Sequence, residues 1–131
     1  MSNADIIRGL YAAFAKGDIP GVLGAMAPDI VWNEAENFPY ADRNPYVGPD
    51  AIVSGVFARI GEDWDGFTVS PEELIESGDT VIMLGRYGGA CKSTGQKINL
   101  QVSHVWRLKA GKVTRFQQYA DTLQMTRAMG R

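Results

Sequence analysis

The sequence predicts an α+β fold, a cone of N-terminal helices packed on a curved, mostly antiparallel sheet that encloses a pocket. Three observations predict it. Helical periodicity dominates residues 4–60, and strand alternation dominates from Phe67 onward. The two patterns do not alternate as they would in a parallel α/β protein. The longest strand-like stretch, Gln96 to Asp121, is two runs joined by a short turn at Ala110-Gly111.

The chain has 131 residues, enough for one domain with one buried core, and residues 1–131 are read as a single domain. Its first helix is expected over 4–16, where Ile6, Ile7, Leu10, Tyr11 and Phe14 share one face. Ser2 or Asn3 can cap its start, and Gly17 suits its end. A short second helix is expected from Asp18, with Pro20 in its first turn, Val22, Leu23 and Met26 as its stripe, and Pro28 as its stop. Ile30 to Glu34 reads as a strand with Ile30, Trp32 and Glu34 on one face.

Residues 35–48 form a long connection carrying Phe38, Tyr40 and Tyr46, the kind of segment that often serves as a binding loop or lid. Gly48-Pro49-Asp50 opens a third helix with Ile52, Val53, Val56, Phe57 and Ile60 inward, and Gly61 is expected to end it. Phe67 and Val69 begin the strands. Pro71 implies an edge strand or a bulge. Val81 to Tyr87 is apolar on both faces and reads as a strand covered on each side. In the next strand Val102, His104, Trp106 and Leu108 share a face, so the single histidine lies beside a tryptophan. Val113 to Tyr119 follows, and Asp121 to Met129 reads as a closing helix.

Composition excludes several function classes. Net charge is −2 with scattered basic residues, so no nucleic-acid surface is announced. One histidine and one cysteine exclude the usual zinc sites, and no metal or cofactor is expected. Cys91 has no internal disulfide partner, which suits a reducing compartment, and no segment has the apolar length of a membrane span. A cytoplasmic protein without a membrane association is expected.

Several ordered strings resemble the nuclear transport factor 2 superfamily, and within it the SnoaL-like and ketosteroid isomerase-related proteins. They are YAAFAKGD (11–18), PDIVW (28–32), NPYVGPDAI (44–52), ESGDTVIMLGRYGG (76–89) and HVWRLKAGKVTRFQQYAD (104–121). The resemblance covers nearly the whole chain and implies the cone fold, with isomerases, cyclases and non-catalytic binding domains among its activities. It implies Glu34 at the place of the isomerases' general base. Tyr11 lies in the helix of their oxyanion tyrosine, with Leu10 nearer the expected register, and His104 stands where their protonated aspartate would be. In SnoaL-like cyclases an acid/base aspartate ends the last strand, and Asp121 matches that place. The resemblance also implies a homodimer through the outer sheet face.

The candidate catalytic set is therefore Asp121, His104 and Glu34. Tyr11, Trp32, Tyr46, Phe57, Trp106 and Tyr119 are the candidate walls for a small hydrophobic molecule. A carboxylate in an apolar cup has its pKa raised and can exchange protons near neutral pH. That inventory suits proton abstraction beside a carbonyl, followed by isomerisation or aldol-type cyclisation. Three readings compete with catalysis. Asp121 can be a plain N-cap through Asp-x-x-Gln, Glu34 a solvated strand end, and His104 a core residue bound to backbone.

Overall fold

A computed structural model describes all 131 residues. Helix α1 spans Asn3–Ala15, and Ser2 is its N-cap in a capping box with Asp5. Helix α2 is only Ile19–Leu23, capped by Asp18. It ends before Met26, which belongs instead to strand β1, Met26–Asn33. Pro28 thus sits inside a strand rather than stopping a helix. It is exposed, and the pairing of β1 with its neighbour is interrupted between Met26 and Val31, so the missing N–H breaks no ladder bond.

The 35–48 segment is not an open loop. It contains a 3-10 turn, Pro39–Arg43, and a two-residue strand β2, Tyr46–Val47, antiparallel to β1. Phe38, Tyr40 and Tyr46 are all core residues, so the segment is a packed wall. The third helical stretch runs as α3 (Pro49–Ile52), a π turn (Val53–Phe57) and α4 (Ala58–Asp63), passing the expected stop at Gly61.

Four long strands complete the sheet: β3 (Trp64–Ser77), β4 (Thr80–Cys91), β5 (Lys97–Lys109) and β6 (Lys112–Ala120). The sheet order is β2-β1-β6-β5-β4-β3, parallel only at β1–β6. β3 is an edge strand with register shifts at Asp65/Thr68 and Pro71/Glu73, so Pro71 marks both an edge and a bulge. The β5–β6 turn places Ala110 and Gly111 at φ +51° and +77°, which suits a tight hairpin. Helix α5 (Thr122–Ala128) closes the chain. It buries Met125 but leaves Leu123 exposed.

One contiguous core fills the space between α1, the Pro49–Asp63 stretch and the concave face of the sheet. Val81, Met83 and Tyr87 of β4 point into it. On the opposite face Leu84 is 39% exposed, so β4 is covered on one side only within a single chain. No helix is long and apolar enough to cross a membrane.

Candidate functional site

The concave face of the sheet holds the only buried histidine and the only buried acid side chain. Strand alternation brings Trp32 and Glu34 inward from β1 and the residue after it. Met83 and Tyr87 come from β4, His104 and Trp106 from β5, and Phe116 and Gln118 from β6. Helix α1 lowers Tyr11 onto them from above, because Ile7, Leu10 and Tyr11 form its buried stripe.

Five of these side chains, Trp106, Tyr11, His104, Tyr87 and Gln118, form one hydrogen-bonded chain. His104 Nδ1 lies 2.7 Å from the Tyr11 hydroxyl, and Nε2 lies 2.6 Å from the Tyr87 hydroxyl. The Trp106 indole N–H donates to the Tyr11 oxygen at 2.8 Å. The Gln118 amide donates to the Tyr87 oxygen at 2.9 Å, while its carbonyl oxygen accepts the backbone N–H of Ala35 at 3.1 Å. Aromatic rings surround His104: Tyr11 stacks on it, and Trp106 and Phe116 meet it edge-on.

Glu34 stands at the end of β1, 2% exposed. Asn44 brackets its backbone, accepting from the Glu34 N–H at 3.0 Å and donating to its carbonyl at 2.9 Å. Its carboxyl accepts the Trp32 indole N–H at 3.2 Å. Burial pushes its pKa up to about 7, against the opposing pull of the Trp32 N–H and the Arg59 charge. Burial pushes His104 the other way, down to about 3, so the imidazole is neutral at ordinary pH. Burial also raises both Tyr11 and Tyr87, so neither is a phenolate.

A slot opens beside this cluster. It is narrow and open at its mouth, with an empty volume of about 490 Å³ counted out to that mouth. Fourteen of its seventeen lining residues are hydrophobic, so Glu34, His104 and Gln118 stand out as its polar points. Phe14, Phe57 and Ile60, all half-buried, edge the helical side.

Of the residues singled out from the sequence, Glu34, His104, Tyr11, Trp32, Phe57 and Trp106 meet in this slot. Asp121 does not. It is exposed, accepts the Gln124 backbone N–H at 3.1 Å, and serves as the N-cap of α5, with no hydrogen bond to His104. Tyr119, two residues earlier and odd in the alternation, is 57% exposed on the convex face. Tyr46 is buried, but its hydroxyl donates to the Tyr40 carbonyl and its ring lies against Gly55, away from the slot. Sequence reasoning missed Tyr87 and Gln118. Tyr87 was readable, since it shares the alternation of Val81 and Met83. Gln118 was not, because a register shift precedes it in β6.

A family model for the SnoaL-like domain matches residues 7–116. The chain is similar to the crystal structure of a nuclear transport factor 2-like protein from Burkholderia thailandensis, at 41% identity, with 98% of each chain covered and a TM-score of 0.94. A second such protein, from Burkholderia pseudomallei, is 31% identical over 100% of both chains, with a TM-score of 0.91. TerC, co-crystallised with polyporic acid, is 28% identical over 98% of each chain, with a TM-score of 0.87. No curated protein matches the chain significantly.

Proposed function

The chain belongs to the SnoaL-like domain family, and from that premise we propose that it is a small acid/base enzyme acting on a hydrophobic carbonyl compound. Isomerisation or aldol-type ring closure is the reaction class. Glu34 takes the proton next to the carbonyl and returns it, and the tyrosine–histidine cluster faces the carbonyl end of the slot. Chemistry of this kind needs a carboxyl of suitable pKa and a dry pocket, and it calls on neither a metal nor a nucleotide.

The observation that carries the reading is the position of Glu34. It is an acid 2% exposed in a slot lined mostly by hydrophobic residues, with a pKa near neutrality. A carboxyl so placed costs stability, and it is poised to exchange protons at physiological pH. Co-crystallisation of TerC with polyporic acid supports a small organic ligand here as well.

Deuterium uptake tests it. A flat apolar ketone such as 2-tetralone is followed by NMR in D2O with the wild-type protein and with Glu34→Gln. The expected result is exchange next to the carbonyl that the substitution slows by about 10²-fold or more. Equal rates in the two proteins overturn the catalytic role.

The second reading is a non-catalytic domain that binds a small apolar ligand. It is favoured by the neutrality of His104, which leaves Glu34 without a second titrating partner near pH 7. Under that reading the ketone binds and no exchange is catalysed.

We also propose that two copies pair through the convex sheet face. Ile75, Ile82 and Val105 are in register across β3, β4 and β5 there, and Arg86, Arg107 and Arg115 flank them. The free thiol of Cys91 suits a reducing compartment such as the cytoplasm.

A further inference from the structure

The hydrogen bonds around His104 contain one more proton than the protein has places for. Four bonds link five groups in the order Trp106, Tyr11, His104, Tyr87, Gln118. The two outer bonds have fixed direction. The Trp106 indole can only donate. The Gln118 amide is oriented by the Ala35 N–H, which must meet its carbonyl oxygen, so its NH2 group faces Tyr87. Each tyrosine oxygen therefore already accepts one N–H.

The two inner bonds need two protons, and three are on hand: one on each phenol and one on the neutral imidazole. A neutral ring donates from one nitrogen and accepts at the other. If Nδ1 carries the proton, Tyr11 accepts it, Tyr87 donates to Nε2, and the phenol proton of Tyr11 is left over. If Nε2 carries it, the leftover proton belongs to Tyr87. Neither hydroxyl has any other hydrogen-bond partner in the protein. Both tyrosines line the slot. A buried donor without an acceptor costs about 1–3 kcal/mol.

We propose that the slot takes a flat apolar ligand bearing an acceptor oxygen, a carbonyl or its enolate, which receives this spare phenol proton, and that the ligand's oxygen decides which tyrosine donates by fixing the tautomer of His104. The inference rests on the reading of the slot as a small-molecule site and adds what that molecule must present and to which residues. The protein's own bonds do not choose between the tautomers, since Trp106 and Gln118 each supply one N–H to their tyrosine. The ligand's acceptor breaks that balance by binding one state better than the other. No net proton is gained or lost: one ring nitrogen loses its hydrogen, the other gains one, and the two hydroxyls turn.

The chain has a single histidine, so ¹⁵N-histidine labelling reports on His104 alone. Acetophenone and α-methylstyrene are the probes, because they differ by C=O against C=CH2 in nearly the same shape. The expected result is that acetophenone binds about 10-fold or more tightly than α-methylstyrene. It also drives the ring nitrogens to one tautomer, which α-methylstyrene does not. Of the variants Tyr11→Phe and Tyr87→Phe, the one that removes the donor brings the two affinities together. Equal affinities in the wild-type protein, with the His104 signals unmoved, overturn the spare donor and leave the slot as a binding site. Failure of both probes to bind overturns the small-molecule reading itself and this inference with it.

Discussion

The Trp32 indole donates to the Glu34 carboxyl at 3.2 Å, although only Asn33 separates the two residues. Strand alternation puts both on the concave face, and the indole supplies the carboxyl's one side-chain hydrogen bond there. A single neutral donor does not offset the loss of water, so the acid is raised from 4.5 to about 7.

The pH dependence of stability follows from this acid and His104 together. Between pH 4.5 and about 7 the folded protein holds the Glu34 proton more tightly than the unfolded chain does, so this group lowers stability as pH rises. His104 is depressed from 6.5 to about 3, so between those values the unfolded chain binds the extra proton and stability rises with pH. The two slopes oppose each other from pH 4.5 to 6.5. Glu34→Gln keeps an acceptor for Trp32 and removes one slope. Its urea stability is expected to climb with pH up to about 6.5. Above pH 7 it is expected to exceed the wild type by up to about 3 kcal/mol. Parallel pH profiles for the two proteins would contradict the buried state of this acid.

Gln118 joins the site to the wall beyond β1, since one amide serves both Tyr87 and the Ala35 backbone. Gln118→Leu keeps the volume roughly and strands the Ala35 N–H in the interior. The expected loss is about 1–3 kcal/mol in chemical denaturation. A loss within error of zero would mean that water replaces the amide.

The fold was legible because its signals are local and repeated. The inward face of β5 could be read from Val102, His104, Trp106 and Leu108, all of which are buried. Glu34 could be placed on the inner face of β1, but its burial depends on the 35–48 segment folding over the strand end, which no periodicity encodes. Asp121 misled through its position after the last strand. The chain turns there to start α5, and the carboxylate is taken up by the helix end. Gln118 was hidden by geometry. Counting outward from the hairpin turn, Leu108 meets Val113, but a register shift then sets Arg107 against Arg115, and His104 meets Gln118 rather than Gln117. One extra residue in a strand exchanges its faces, and the bulge has no sequence mark of its own.

Asp121 is expected to matter for stability alone. Asp121→Ala removes the cap bond to Gln124 and should cost about 1 kcal/mol, whereas Asp121→Asn keeps an acceptor and should cost less. Both variants should retain wild-type ketone binding and deuterium exchange. A loss of exchange in the well-folded Asn variant would restore the aspartate to the chemistry.

The π turn at Val53–Phe57 depends on a missing side chain. A Cβ on Gly55 would run into the Tyr46 ring, whose hydroxyl is held by the Tyr40 carbonyl and so cannot simply swing away. Gly55→Ala should cost about 1–3 kcal/mol through overpacking. Because Phe57 ends the π turn and lines the slot, ligand affinity should fall together with the melting temperature. An unchanged melting temperature would show that the Tyr46 wall yields freely.

The convex face offers the last test. Ile75, Ile82 and Val105 lie in one row across three strands, Leu84 and Tyr119 are 39% and 57% exposed nearby, and three arginines stand at the sides. An apolar centre with a charged surround is the arrangement of a protein interface. A lysine at Val105 would set a charge in the middle of that centre while leaving the concave side untouched. Sedimentation of the wild-type protein is expected to give twice the chain mass, and Val105→Lys the mass of one chain, with the far-ultraviolet spectrum preserved. Wild-type protein that sediments as a single chain at high concentration would instead assign this partly exposed apolar row to some other partner.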